Sequence, residues 1–490
     1  MREDRYLVPT FFAALVVYFG VHIAVRVAST DSLGFDEAAQ VFIAWRLQPG
    51  YLADPPLYSW LQYAVFEVFG TNVLALSVLK NLLLFLTYTF VFLSARMLLQ
   101  NTRLAVMAAL SLLLIPQYAW ESQRDLTHSV LAVTLSAATL YVLLRLFREP
   151  ATRNFVLLGV VLGMGAISKY NYMIFAGTAM AAALLRRESR EALLDKKLLL
   201  SGWIALVIAA PYLYWSVANL TQATANVYKL GVGADTIFLA GLGSLALATV
   251  AFVTPLWVVY LILFPHGFVP SERARAGDWR PFDLSAYFVV LAVFLMVAIV
   301  LFDISKVKDR WLQPMLFSVP IYFLGHLRGE PVEDRPWRRF LWVVGIVAAL
   351  IPVGLVVRTV GVSITGHYTV LSYPFAALAK EMRALGFEQG VIVTEDVLMA
   401  GNLRHQFLDS TVVVPGINER DVALDAADRD LAVVWNATER DAVPESLADF
   451  ANCKLRPAVR CPNIDYRNIP YDYSAGRAAK AAMIVVPGRR

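Results

Sequence analysis

Cysteine is almost missing from this chain: two residues in 490, Cys453 and Cys461, beside only six histidines. A structural zinc site needs about four such ligands drawn together. The two cysteines have no further Cys or His close by, and His367 and His405 lie far apart in sequence, so none is indicated. Charge is scarce as well, at 17% of residues against 58% hydrophobic. With a mean hydropathy of +0.58, that balance excludes an ordinary soluble protein. A Walker-type nucleotide loop, a dinucleotide fingerprint, an internal repeat and a low-complexity tract are all missing. The net charge of +5 does not indicate nucleic acid, because Lys and Arg are dispersed among short loops rather than gathered in a patch.

What the chain has instead is apolar runs. About eleven candidate spans lie near residues 7–28, 73–95, 104–119, 126–147, 154–168, 171–185, 198–218, 237–264, 284–302, 312–327 and 340–357. Several fall short of the roughly 20 residues a perpendicular helix needs, so tilts or breaks are expected there. Alternate loops carry the cations: Arg145, Arg148 and Arg153; Arg186, Arg187, Arg190, Lys196 and Lys197; Arg273, Arg275 and Arg280; Arg328, Arg335, Arg338 and Arg339. The positive-inside rule puts these loops and the N-terminus in the cytoplasm, and the loop around Asp36 and residues 358–490 on the opposite side. Met1 to Tyr6 carries both charge signs and no small-residue cleavage site follows the first span, which reads as an uncleaved helix.

From Arg358 the composition turns to that of a soluble domain. The β-branched runs 390–394, 411–414 and 431–435, with helix-like segments at Pro374–Leu385 and Pro444–Phe450, indicate a small α/β domain. It serves to cover a membrane site, to bind an acceptor, or simply as a cap. Cys453 and Cys461 both fall in it, and in an oxidising compartment so close a pair reads as a disulfide. The reading is a polytopic α-helical membrane protein, with a transmembrane domain over 1–357 and a C-terminal α/β domain over 358–490.

Chemistry points to the first loop. Gly34-Phe35-Asp36-Glu37-Ala38 leads to Gly50-Tyr51-Leu52-Ala53-Asp54-Pro55-Pro56-Leu57, pairing carboxylates at a membrane surface with a Pro-Pro step that fixes the returning chain. Arg124, Asp125, Lys169, Lys306, Lys308 and Arg310 emerge on the same side from other loops. Charges at a membrane boundary are costly unless paired or wetted, so their convergence favours function over simple solvation or interfacial anchoring. His22, Arg26, Glu67, Lys80 and His128 read as snorkelling, paired or packed residues.

Five ordered motifs resemble one family: Phe35-Asp36-Glu37; Gly50-Tyr51 through Asp54-Pro55-Pro56-Leu57; Gly163-Met164-Gly165-Ala166-Ile167-Ser168-Lys169-Tyr170; Pro211-Tyr212-Leu213-Tyr214-Trp215; and Lys306-Val307-Lys308-Asp309-Arg310-Trp311. Together they are similar to the bacterial branch of the protein O-mannosyltransferase superfamily, which includes aminoarabinose and galacturonosyltransferases acting on lipopolysaccharide. The resemblance implies a GT-C fold and inverting transfer of a sugar from a polyprenyl-phosphate-linked donor to an envelope glycolipid or glycan, such as lipid A or lipopolysaccharide core, at the periplasmic face of the bacterial inner membrane.

By that resemblance Asp36 and Asp125 are the catalytic acidic residues, with Asp36 the general base. Glu37, Asp54, Arg124, Lys169, Tyr170, Lys308 and Arg310 line the substrate site, the cations facing the donor phosphate. Glu37 has the alternatives of holding the loop or pairing with Arg124. One departure matters: aminoarabinose transferases look as though they carry a lysine, and other relatives a histidine, where this chain has Asp54. Direct phosphate binding there is in doubt, leaving Asp54 for sugar hydroxyls, a metal or a neighbouring cation. No cofactor is certain, a divalent metal being the open alternative. The rival classes are a transporter or flippase of lipid-linked sugars and an assembly partner without catalysis.

Overall fold

The computed structural model describes residues 2–231, 238–265, 282–329, 332–418, 429–439, 441–451, 463–474 and 476–488. Cys453, Cys461, Arg273, Arg275 and Arg280 lie outside the described residues. Contacts group the chain into two compact units.

The first unit comprises residues 1–21, 48–58 and 80–351. Its helices are built from the apolar runs, and those long enough to cross a membrane are α1 (Arg2–Ser29), α4 (Val73–Leu99), α6 (His128–Arg148), α9 (Leu198–Ala218), α10 (Phe238–Leu263), α11 (Leu284–Leu301) and α12 (Asp334–Val360), of which α1, α4 and α12 extend beyond the unit. Among the described residues these seven meet the length and hydropathy needed, or eight if one bent pair is a single span. About eleven spans were expected, and this length criterion does not confirm that exact number. Four of them are short or broken: the run at 104–119 is α5 (Thr102–Leu110) followed by irregular turns and a 73° bend, and α7 (Thr152–Ala166) and α8 (Tyr170–Leu184) have 15 residues each. The fourth, at 312–327, is divided into Gln313–Leu316 and Val319–Gly325.

The break after α5 has a local cause. Pro116 lacks the N–H that a continuing helix needs, and the chain passes through the 3-10 turn Ser111–Leu114 into the π-helical turn Gln117–Glu121. Close packing elsewhere comes from small residues. A Cβ on Gly159 or Gly163 of α7 would press on α9 at Ser201 and Ala205, so glycine lets the two helices approach backbone to backbone.

The second unit comprises residues 22–47, 59–79 and 352–490. Its sheet has strand order β2-β1-β3-β5-β4, formed by β1 (Gly390–Thr394), β2 (Thr411–Val413), β3 (Asp430–Asn436), β4 (Asp465–Pro470) and β5 (Ala478–Val486). β2, β1 and β3 are parallel, while β5 runs antiparallel to both β3 and β4. Alternation along the strands sends Ile392, Val412 and Val434 into one core layer and Val391, Val413 and Val433 into another.

The first layer is covered by α13 (Phe375–Ala384) and α14 (Val397–Gln406). Phe42, from α2 (Phe35–Ile43) in the first loop, joins that same core. The remaining apolar side of α2, with Ala38, Val41 and Ala44, packs on Leu33, Phe66, Val73 and Leu76. The helix-like segment expected at 444–450 is a 3-10 turn, Glu445–Leu447, running into a single α-helical turn, Ala448–Ala451.

Candidate functional site

In the first unit, four loops far apart in sequence are hydrogen-bonded to one another. Gln117, in the π-helical turn leading to Arg124 and Asp125, donates Nε2 to Asp309 Oδ2 at 2.5 Å. Asp309 Oδ1 accepts the backbone N–H of Arg310 at 2.8 Å, which fixes the start of that turn. Gln313 donates to the Gln117 carbonyl and to Ser122 Oγ, and Tyr118 donates its hydroxyl to the Gln313 carbonyl. Asn171 donates to the carbonyl of Trp311 at 2.9 Å. Lys169 Nζ donates to Ser129 Oγ at 2.7 Å, joining the α7–α8 turn to the start of α6. Finally, Leu57 N–H donates to the Ile167 carbonyl at 3.0 Å and brings in the Asp54 loop.

The predicted residues take different positions in this frame. Asp125 follows the short turn Ser122–Arg124, half-buried. Arg124 is engaged by Glu121 at 2.7 Å. Lys308 is exposed, its Nζ 5.8 Å from the centre of the Trp311 ring. Among the described residues neither Lys306, Lys308 nor Arg310 has a carboxylate partner within ion-pair distance. Three such cations within five residues, on a turn held in shape by neutral amides and one aspartate, form a positive surface suited to an anion.

Asp54 has a different neighbourhood, one of aromatics. Its charge acts on the phenols of Tyr170 and Tyr212, whose oxygens are 2.5 Å apart. Tyr170 also donates to the Ala223 carbonyl at 2.9 Å, and the Tyr212 ring stacks on Trp215 with centroids 5.9 Å apart. Gly50 has to be glycine, since any Cβ would run into the Trp215 ring. Of these rings Tyr212 is buried while Tyr170 and Trp215 keep part of their surface open, and a carboxylate beside such open aromatic faces suits sugar hydroxyls.

In the second unit, Asp36 occupies the first turn of α2. Phe35, Asp36 and Ala39 form the less buried side of that helix, opposite the side that packs into the core. Glu37 is buried, and its oxygens are taken up: Arg26 donates Nε to Oε1 at 3.1 Å and Nη2 to Oε2 at 2.6 Å, while the Gly34 N–H donates to Oε2 at 3.0 Å. Of the alternatives for Glu37, this geometry is that of a residue holding the loop. The same guanidinium donates to the carbonyls of Thr30 and Ser32, so Arg26 gathers the whole turn between α1 and α2.

Asp31, beside it, lies 2.9 Å from His405 Nε2 and accepts from Gln406 Nε2 at 3.0 Å. The hydrogen bond with His405 holds its carboxyl below the ordinary aspartate range against the opposing effect of burial, with help from Gln406 and the Arg26 charge. The bridging amides Gln117 and Gln313 carry no motif of their own. The Gln117 region does carry one signal, a proline inside an apolar run. No group of three His, Cys, Asp or Glu suited to a metal occurs among the described residues.

A helical membrane unit, with charged residues collected on its loops, and a small mixed-sheet unit make up the fold. ArnT of Cupriavidus metallidurans has the same fold: in the apo state it matches with a TM-score of 0.61 at 15% identity, covering 98% of this chain and 97% of that one. Bound to undecaprenyl phosphate it matches with a TM-score of 0.58 at 16% identity, covering 96% and 98%.

The family description "dolichyl-phosphate-mannose-protein mannosyltransferase" matches residues 53–215. A lipopolysaccharide core galacturonosyltransferase of Rhizobium johnstonii is 34% identical over 486 residues, 97% of both chains. A second from the same organism is 33% identical over 470 residues, 93% of both. The chain belongs to the bacterial branch of the protein O-mannosyltransferase superfamily that contains these galacturonosyltransferases.

Proposed function

We propose that this protein transfers a galacturonosyl residue from a polyprenyl phosphate carrier to the core of a lipopolysaccharide, with inversion at the anomeric carbon, at the periplasmic face of the bacterial inner membrane. The N-terminus is cytoplasmic and the α/β domain periplasmic in this reading. The observation that carries it is the cross-bonded loop set, which fixes Lys306, Lys308 and Arg310 as uncompensated cations in a relative of galacturonosyltransferases that matches over 97% of its length. The orientation rests on the alternation of basic loops.

The chemistry follows from the roles. The acceptor hydroxyl attacks the anomeric carbon as Asp36 takes its proton. The bond from that carbon to the phosphate oxygen breaks, and the polyprenyl phosphate leaves with the electron pair, its charge held by Lys308 and Arg310, with Lys169 and Arg124 as the further cations assigned to it. Asp125 supports the reacting group from its turn. Asp54 and Tyr170 orient sugar hydroxyls, a role their aromatic surroundings support.

Purified protein, a galacturonosyl polyprenyl phosphate and a lipopolysaccharide core acceptor, with no other enzyme present, provide the test. A mass gain of one hexuronic acid on the acceptor, matched by release of polyprenyl phosphate, is the expected result. Movement of intact donor across vesicles without transfer would instead identify a flippase.

A further inference from the structure

The C-terminal domain grips the segment that precedes Asp36 residue by residue. Tyr473 donates its hydroxyl to the Ser29 carbonyl at 2.5 Å, and Thr30 donates to the Leu371 carbonyl at 3.3 Å. Asp31 meets His405 and Gln406, and Ser32 donates to the Tyr373 carbonyl at 3.0 Å. At Leu33 the grip becomes two-way: its N–H donates to Asn402 Oδ1 at 2.8 Å, and Asn402 Nδ2 donates back to the Leu33 carbonyl at 3.2 Å. Asn402 is 1% exposed, so both bonds are shielded from water. One turn further on, α2 and α14 touch backbone to backbone, since a Cβ on Gly401 would collide with the Ala38 carbonyl.

We propose that Asn402 is a positioning residue for Asp36, and that the C-terminal domain serves as the rigid mount of the catalytic carboxylate. An amide that both accepts from and donates to one residue's backbone fixes that peptide in position and direction. Leu33 is followed directly by Gly34, the N-cap of α2, so the direction of the first turn is set there. A hydroxyl or a methyl at 402 supplies one of these bonds or neither. The inference rests on Asp36 being the base, and it assigns a role that the carboxylate alone does not predict.

The test uses the full-length protein in detergent, with three variants compared by steady-state kinetics on the galacturonosyl polyprenyl phosphate donor, thermal unfolding, and hydrogen exchange of the amides from Leu33 to Ala38. Asn402→Ala is expected to lose on the order of 100-fold in kcat while the donor KM moves less than about twofold, as for misplacement of a reacting group rather than lost binding. Asn402→Asp keeps the acceptor and is expected to lie between it and the wild type, which also covers the case in which the alanine variant fails to accumulate. Val433→Ala opens the opposite core layer, away from α14, and is expected to lower the unfolding midpoint with kcat unchanged.

Retention of kcat in Asn402→Ala, or an equal loss in Val433→Ala, would overturn the positioning role. If the wild type does not turn over this donor, the functional reading fails by itself. The mount is then judged by exchange alone: faster exchange from Leu33 to Ala38 in Asn402→Ala but not in Val433→Ala supports it, and equal rates overturn it.

Discussion

Arg26 and Glu37 form a two-point ion pair, Nε to Oε1 at 3.1 Å and Nη2 to Oε2 at 2.6 Å, with the Glu37 side chain only 4% exposed. The residue adjacent to the proposed base is thereby tied into the turn between α1 and α2. Losing one partner strands a buried charge. Glu37→Leu or Arg26→Met alone is expected to destabilise the protein by about 3 to 5 kcal/mol, and the two together by less. Chemical or thermal unfolding of the three variants checks this; additive losses would show that the pair is not coupled.

Lys308 and Arg310 are expected to act on the donor. Each replaced by Ala should weaken binding of undecaprenyl phosphate by about 1.5 to 3 kcal/mol, the worth of a hydrogen bond to a charged group, and leave acceptor KM nearly unchanged. Arg310→Lys should recover only part, because a point charge does not reproduce a planar fork. Titration of the carrier lipid into purified protein is the measurement.

Asp31 makes the junction with α14 sensitive to acid. Its folded pKa is lowered, chiefly by the hydrogen bond with His405, so the unfolded chain binds more protons in the interval between the two values. The stabilisation is complete above the unfolded value of about 3.9 and is lost as pH falls through the folded one. Asp31→Asn is expected to melt below the wild type near neutral pH and to converge with it as acidification takes the pH through the lowered folded value. A gap that widens with acid would contradict the sign.

The candidate positions were legible because charge beside a membrane stands out against apolar sequence. Asp36, Asp54, Asp125, Lys169, Lys308 and Arg310 are polar interruptions between hydrophobic runs, and the structure puts the last five of these on loops that hydrogen-bond to one another. Asn402 could not be found this way. It lies 369 residues from Leu33, and nothing local marks it in Val397–Gln406, a helix that went unpredicted.

The sheet was half legible for a related reason. β1, β2 and β3 are β-branched and buried, whereas β4 (Asp-Tyr-Arg-Asn-Ile-Pro) is a mostly polar edge and β5 opens with Ala-Ala-Lys-Ala-Ala, both poor in the residues that announce a strand. The helix lengths were less legible where α7 and α8 are 15 residues long and where prolines break the apolar runs, because hydropathy records composition and not helix continuity.

Cys453 and Cys461 are expected to be joined in the mature protein. Closing so short a loop contributes about 2 to 3 kcal/mol in the chain-entropy model, enough to matter for the small domain. Mass spectrometry of protein isolated under a thiol-trapping reagent decides it: a mass two hydrogens below that of the dithiol is expected, and two alkylated thiols would remove both the bond and one support for the periplasmic side.

The role of Asp36 is tested most directly by turnover of Asp36→Asn, which keeps the size of the side chain and removes its basicity. With a hydroxyl acceptor, purified variant should fold and bind undecaprenyl phosphate as the wild type does, yet lose about 10²- to 10⁴-fold in kcat. The wild-type product should carry the anomeric configuration opposite to that of the donor. Turnover by Asp36→Asn within a few-fold of wild type, or a product that retains the donor configuration, would contradict an inverting transfer in which Asp36 is the base.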